Sequence, residues 1–206
     1  MNDIKNIYCV GRNFVKHAEE LGNDIPSRPL LFSKPTRSIV QANGGTIELP
    51  FDRGEVHYEA EIVLFIGQDV PKSFAVEDVV EKMALGIDFT LREEQQRLKE
   101  KGHPWLRAKG FKNSAAITDF WSFPGMNSCK ETDFTLHING EEIQRGNIQN
   151  MLFDFKRIIE ECNDLFGLGP GDILFTGTPE GVGKVNAHDE FLLRWGEEGK
   201  GRFTIA

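Results

Sequence analysis

Apolar residues along this chain fall mostly in short runs, and runs that alternate with a period of two outnumber those repeating every three or four positions. Residues 5–10, 30–33, 46–49, 59–66, 85–89, 172–176, 190–195 and 202–205 are rich in Ile, Val, Leu and Phe, a pattern that predicts strands. Phe134-Thr-Leu-His-Ile138, followed by Asn139-Gly140 and a second run over 141–144, predicts a tight hairpin with a type I′ turn. Helical periodicity is rarer. Ile148, Met151, Leu152, Phe155, Ile158, Ile159, Cys162, Leu165 and Phe166 recur at steps of three and four, predicting an amphipathic helix closed by Gly167. Val76, Val79, Val80, Met83 and Ala84 predict a second helix, residues 14–21 a short third, and the polar stretch 92–101 a surface helix or lid. Because strands outnumber helices and do not alternate with them, a β-rich α+β fold is expected rather than a parallel βαβ one.

Length and composition narrow the picture. With 206 residues, 39% apolar and 27% charged, the chain is expected to be one globular domain over 1–206, with no repeat or low-complexity linker. No apolar run approaches the length of a membrane span, and the first residues lack the basic and apolar regions of a secretory signal, so a cytoplasmic protein is expected. Cys9, Cys129 and Cys162 are odd in number and far apart, which suits reduced structural thiols. A formal charge of -8 with scattered Lys and Arg makes nucleic acid an unsuitable partner. Such a chain can handle an acidic ligand only where a metal or a few placed cations reverse the local field.

The segment Val56-His-Tyr-Glu-Ala-Glu-Ile-Val-Leu-Phe-Ile66 directs that search. Its period of two puts Glu59, Glu61, Val63 and Phe65 on one face and Tyr58, Ala60, Ile62 and Leu64 on the other. Both faces turn apolar downstream, as in a strand buried on both sides, so the two carboxylates are expected at the mouth of a core. Burying two like charges is costly unless a cation compensates, and a hard divalent ion such as Mg²⁺ or Mn²⁺ prefers oxygen ligands. The plainer alternative is the solvent face of an edge strand. Asp88, ending the apolar run 83–87, offers a third oxygen ligand; equally, it reads as a turn or N-cap residue before the helix near Arg92.

Other segments carry weaker signals. His17 and Glu20 are spaced i, i+3, so on a helix they share a face and suit a base with its orienting carboxylate. Lys34, Arg92 and Lys109 are individually ordinary charged residues. The loop Thr176-Gly-Thr-Pro-Glu-Gly-Val-Gly183 is glycine-rich but lacks the Lys-Ser/Thr pair of a nucleotide-binding loop.

In order along the chain, Gly11-Arg-Asn-Phe-Val-Lys-His17, Phe32-Ser-Lys-Pro35, His57-Tyr-Glu-Ala-Glu61, Asp88-Phe-Thr, Arg92, Gln95, Lys109-Gly-Phe111, Asn139-Gly-Glu141, Met151-Leu-Phe153 and Pro170-Gly-Asp172 through Gly183 resemble the fumarylacetoacetate hydrolase superfamily. The pattern is most similar to its small acylpyruvate hydrolase and oxaloacetate decarboxylase-like members. That resemblance implies a mixed β-roll of the family's C-terminal-domain type, a homodimer, and Mg²⁺ or Mn²⁺ on Glu59, Glu61 and Asp88. It further implies His17 and Glu20 as a lid dyad handling water, Lys109 as a charge partner of the substrate, and Arg12, Lys34, Arg92, Gln95 and Thr178 around the substrate pocket. The chain departs from the common pattern at Thr90-Leu-Arg-Glu93, where Thr-Ala-Arg-Asp is usual, and at Lys112, where Asp is usual.

The activity so implied is metal-dependent cleavage of a C–C bond in a small 2-oxo acid, an acylpyruvate giving pyruvate and a carboxylic acid, with oxaloacetate decarboxylation served by the same electron sink. An isomerase of an unsaturated 2-hydroxy diacid and a noncatalytic metal-dependent metabolite-binding protein stand as alternatives.

Overall fold

The computed structural model describes residues 3–14 and 26–206. In chain order the strands are β1 (Ile7–Gly11), β2 (Leu30–Lys34), β3 (Ile39–Gln41), β4 (Asn43–Ile47), β5 (Val56–Tyr58), β6 (Ala60–Ile66), β7 (Val80–Asp88) and β8 (Thr90–Leu91). They continue as β9 (Ala115–Ile117), β10 (Trp121–Ser122), β11 (Phe134–Ile138), β12 (Glu141–Gly146), β13 (Ile173–Phe175), β14 (Gly183–Lys184), β15 (Glu190–Trp195) and β16 (Glu198–Ile205). One sheet runs β2-β1-β13-β6-β7-β9-β3 with β10 on β7, a second runs β12-β11-β15-β16-β4, and a third, small one runs β14-β5-β8. Pairing is mixed: β1 with β13, β16 with β4 and β3 with β9 are parallel, and the other pairs are antiparallel. This is the β-rich α+β architecture expected.

β6 organises the interior. Ile62, Leu64 and Ile66 on one face enter the main core, whereas Val63 on the other joins Ile7, Cys9, Ala84, Ile117, Ile173 and Phe175 in a separate apolar cluster. Each such side chain contributes ~1.5–3 kcal/mol relative to exposure. Opposite β6, Gly86 is required by contact, since a Cβ there would stand 2.8 Å from Phe175 Cε1 and 2.9 Å from Val63 Cγ2. The Asn139-Gly140 turn has φ of 54° and 86°, the left-handed pair that a type I′ hairpin needs.

Two predicted elements differ. The helix expected from Ile148 begins at Phe155: Asp154 caps it by accepting from Arg157 N at 2.8 Å, and Ile148–Asn150 form a separate 3₁₀ turn. Val76–Val79 make a single helical turn, but Val80, Met83 and Ala84 belong to β7, where pairing along β6 overrides a helical spacing built from β-branched residues. Residues 14–21 lie almost wholly outside the described residues, and Phe14 makes an isolated bridge to Met151. The polar stretch does form a helix, Arg92–Glu100. All three cysteines are free and buried; burial first, then Glu77 and Glu161, pushes Cys129 and Cys162 up to about 12. Among the described residues no helix is long and apolar enough to cross a membrane.

Candidate metal centre

Glu59 sits at the break between β5 and β6, Glu61 one residue inside β6, and Asp88 is the last residue of β7. Antiparallel register sets Ala60 against Ile87 and Glu61 against Gly86, and Asp88 N donates to Glu59 O at 2.8 Å. The neighbouring strand ends therefore bring the three carboxylates together, with one oxygen from each within 4.8 Å of the others. Glu59, Glu61 and Asp88 are 7%, 1% and 0% exposed, which removes the edge-strand alternative. The cap alternative for Asp88 also falls, because Leu91 precedes the helix at the N-cap position.

Cations surround two of the three. Lys109 Nζ lies 2.7 Å from Glu59 Oε2, 2.7 Å from Asp88 Oδ2 and 2.6 Å from Thr90 Oγ1, over the Phe32 ring. Burial pushes the Lys109 pKa down, but Asp88 and Glu59 outweigh it and leave it raised. Lys34 Nζ approaches Asp88 Oδ1 at 2.7 Å and donates to the carbonyls of Ser114 at 2.9 Å, Phe89 at 3.3 Å and Lys109. Arg92 reaches Glu59 Oε1 and Gln95 Oε1, each at 2.7 Å, and His57 Nδ1 at 3.4 Å. Glu61 is different. It accepts from a backbone amide, Gly177 N at 2.7 Å, and burial, then Asp88 and Glu59, hold its pKa well above the carboxylate range. An all-oxygen, crowded, buried donor set with its least compensated member at Glu61 fits a hard divalent cation such as Mg²⁺ or Mn²⁺.

A frame of backbone contacts fixes these side chains. Gly177, at φ 98°, has no room for a Cβ, which would stand 2.6 Å from Asn13 Cβ. Asn13 in turn donates to Thr176 O at 2.8 Å and to Phe153 O at 3.0 Å. Gln144, 1% exposed on β12, accepts from Ala60 N at 2.9 Å and donates to Thr178 Oγ1 at 2.9 Å and Pro179 O at 3.0 Å. Gln144, Thr90, Asn13 and Phe32 are site residues that the sequence reading missed. Only Thr90, two positions after Asp88, carried a local signal; the others arrive through strand pairing.

The expected site residues are gathered unevenly. Arg12, Arg92, Gln95, Lys109 and Glu59 line one cavity of ≈ 140 Å³, together with Phe32. Lys34 lies beneath it, fully buried, and Thr178 is buried in the 176–183 loop. His17 and Glu20 lie outside the described residues. A larger concavity of ≈ 470 Å³ on the second sheet contains Arg194, Arg202 and Glu190 but none of the triad, so the smaller cavity is the one with the chemistry.

Comparison with known proteins agrees with this geometry. The family model described as fumarylacetoacetate (FAA) hydrolase C-terminal matches residues 6–204. The mitochondrial oxaloacetate tautomerase FAHD1 of Arabidopsis thaliana is 40% identical over 182 residues, which are 87% of this chain and 81% of that protein. A mitochondrial oxaloacetate decarboxylase of Dictyostelium discoideum is 35% identical over 184 residues, 88% and 84% of the two chains. Among solved structures, fumarylpyruvate hydrolase from Pseudomonas aeruginosa in complex with Mn²⁺ and pyruvate is similar at a TM-score of 0.90 and 32% identity, over 98% of this chain and 90% of that one.

Proposed function

This chain belongs to the fumarylacetoacetate hydrolase family, and on that premise we propose that it interconverts the keto and enol forms of oxaloacetate at the Glu59–Glu61–Asp88 centre. The observation that carries this reading is the buried triad bordered by Lys109, Lys34 and Arg92, of which Glu59, Lys109 and Arg92 line a cavity only ≈ 140 Å³ in volume. In the reaction a C3–H bond breaks, an O–H bond forms, and negative charge passes through the 2-oxo group. A divalent ion held by the triad supplies a Lewis acid for that charge. Arg92, fixed by Glu59, presents N–H donors to the cavity without reorganising, which suits an oxygen where charge develops, and Lys109, its three N–H groups engaged by Glu59, Asp88 and Thr90, adds positive charge beside it. Lys34 holds Asp88 from below and keeps the lysine-rich floor in place. His17 with Glu20 is the proposed proton-handling pair.

A second reading is hydrolysis of an acylpyruvate to pyruvate and a carboxylic acid, favoured by the similarity to the fumarylpyruvate hydrolase structure. It adds water across the C–C bond and uses the same charge-accepting floor. Isomerisation of an unsaturated 2-hydroxy diacid is related chemistry, and a 2-hydroxyhepta-2,4-diene-1,7-dioate isomerase of Mycobacterium marinum is similar at a TM-score of 0.82. We further propose a homodimeric, one-domain catalytic unit in the cytoplasm; the two relatives above carry the description mitochondrial.

The deciding experiment supplies oxaloacetate, acetylpyruvate and an unsaturated 2-hydroxy diacid with Mg²⁺ or Mn²⁺, against a chelated control. Enol absorbance, pyruvate and carbon dioxide are followed separately. Faster keto–enol exchange of oxaloacetate is expected; no turnover of any substrate with either metal would leave a metabolite-binding protein. Light scattering tests the dimer.

A further inference from the structure

Four cations, Arg12, Arg92, Lys99 and Lys109, line the same ≈ 140 Å³ cavity. On the helix Arg92–Glu100, residues 92, 95, 96 and 99 are spaced i, i+3, i+4 and i+7, so Arg92, Gln95, Gln96 and Lys99 form one face, and all four line the cavity. Arg12 enters from the end of β1, with its backbone in the left-handed region at φ 58°, a conformation that non-glycine residues seldom adopt away from functional sites.

Their charges are not equally committed. Within the triad, Glu59 and Asp88 pair with Lys34, Lys109 and Arg92. Arg12 and Lys99 are in surplus: among the described residues neither makes an ion pair. Burial, then Arg12 and Arg92, pushes the Lys99 pKa down, the signature of like charges gathered at the exposed mouth of the cavity. A shared anion relieves that crowding. The cavity is also small beside the ~300–1,000 Å³ that drug-sized ligands occupy, so the ligand has few heavy atoms.

We infer that Arg12 and Lys99 form a subsite for a second carboxylate, with Lys99 the residue that makes the centre select a short dicarboxylic 2-oxo acid over a monocarboxylic one. The inference rests on the 2-oxo acid reading above. The chelating end of the acid lies toward the triad, and its far carboxylate lies between Arg12 and Lys99, with the Gln95 and Gln96 amides beside it.

The test compares the wild type with Lys99→Met, which keeps the length of the stem and removes the charge, and Lys99→Arg, which restores it. The readout is the ratio of kcat/KM for oxaloacetate to kcat/KM for acetylpyruvate under saturating Mn²⁺. Loss of a charged hydrogen bond should lower that ratio about tenfold or more in Lys99→Met, mainly through KM for oxaloacetate, with recovery in Lys99→Arg. An unchanged ratio, or equal losses on both substrates, overturns the subsite. If the wild type turns over neither compound, the proposed reaction fails independently. Oxaloacetate and pyruvate then serve as inert ligands, and the ratio of their Kd values by calorimetry, shifted or unshifted by Lys99→Met, decides the inference on its own.

Discussion

The side-chain carbonyl of Gln144 accepts the Ala60 amide at 2.9 Å, tying the edge strand of the second sheet to the one residue between Glu59 and Glu61 of the candidate centre. Its amide nitrogen holds Thr178 Oγ1 and Pro179 O, so one side chain spans both the carboxylate strand and the loop that carries Gly177. Gln144→Leu would strand these buried groups at about 1–3 kcal/mol each. We expect a lower denaturation midpoint together with weaker Mn²⁺ binding. Equal stability and affinity in the variant would show that the tie is dispensable.

Lys109 is buried against Glu59 and Asp88, and its removal leaves two carboxylates without their shared ammonium. Lys109→Met should destabilise the metal-free protein by about 3–5 kcal/mol, the usual consequence of breaking one side of a buried ion pair. Added Mg²⁺ should recover part of the loss, because it restores positive charge to the same oxygens. Chemical denaturation with and without the ion measures both effects.

Glu61 gives a pH signature. Its folded pKa lies well above the unfolded value, through burial first and then Asp88 and Glu59, so the native state binds more protons than the unfolded chain. The contribution of Glu61 to the stability of the chelated protein should therefore be fully present below the unfolded carboxylate pKa and be lost as pH rises from there toward the raised folded pKa. Glu61→Gln should flatten that slope, keep the Gly177 N–H bond through its amide oxygen, and abolish metal binding and turnover. A variant with the same pH slope as wild type would remove Glu61 as its source.

Chelation should stop turnover, and Mg²⁺ or Mn²⁺ should restore it, since the triad offers oxygen alone. Ion at a hundred times its Kd should also stabilise the fold by about 2.7 kcal/mol. Restoration by Zn²⁺ only would contradict the assignment.

His17→Ala should separate the candidate reactions. Enolisation of oxaloacetate and attack by water on an acylpyruvate both need a positioned base worth about 10² to 10⁴ in rate, whereas loss of carbon dioxide from oxaloacetate needs none and should suffer less. Following enol absorbance, pyruvate and carbon dioxide separately for His17→Ala and Glu20→Ala distinguishes these outcomes, and equal losses in all three would assign the pair to positioning.

Much of this was legible in the sequence because the signals are local. The alternation around Glu59 and Glu61, the Asn139-Gly140 turn and the apolar run ending at Asp88 each arise within a few residues. Val80 to Ala84 misled because their spacing satisfies a helix and a strand alike, and only the presence of β6 beside them decides. Gln144 was invisible for a related reason: nothing near it in sequence indicates that its amide meets residues 60 and 178. Lys99 carries no signal of its own in the sequence; the helix places it on the face shared with Arg92.

The bond from Gly177 N to Glu61 Oε2 also orders events in time. Glu59, Glu61 and Asp88 all precede the midpoint of the 206 residues, but the amide that orients Glu61 belongs to Gly177, synthesised long after them, and it follows β13, which joins β1 to β6. A nascent chain therefore carries the acidic side chains long before it can assemble them. The finished geometry of the three carboxylates waits until β1 and β13 have met across the sheet.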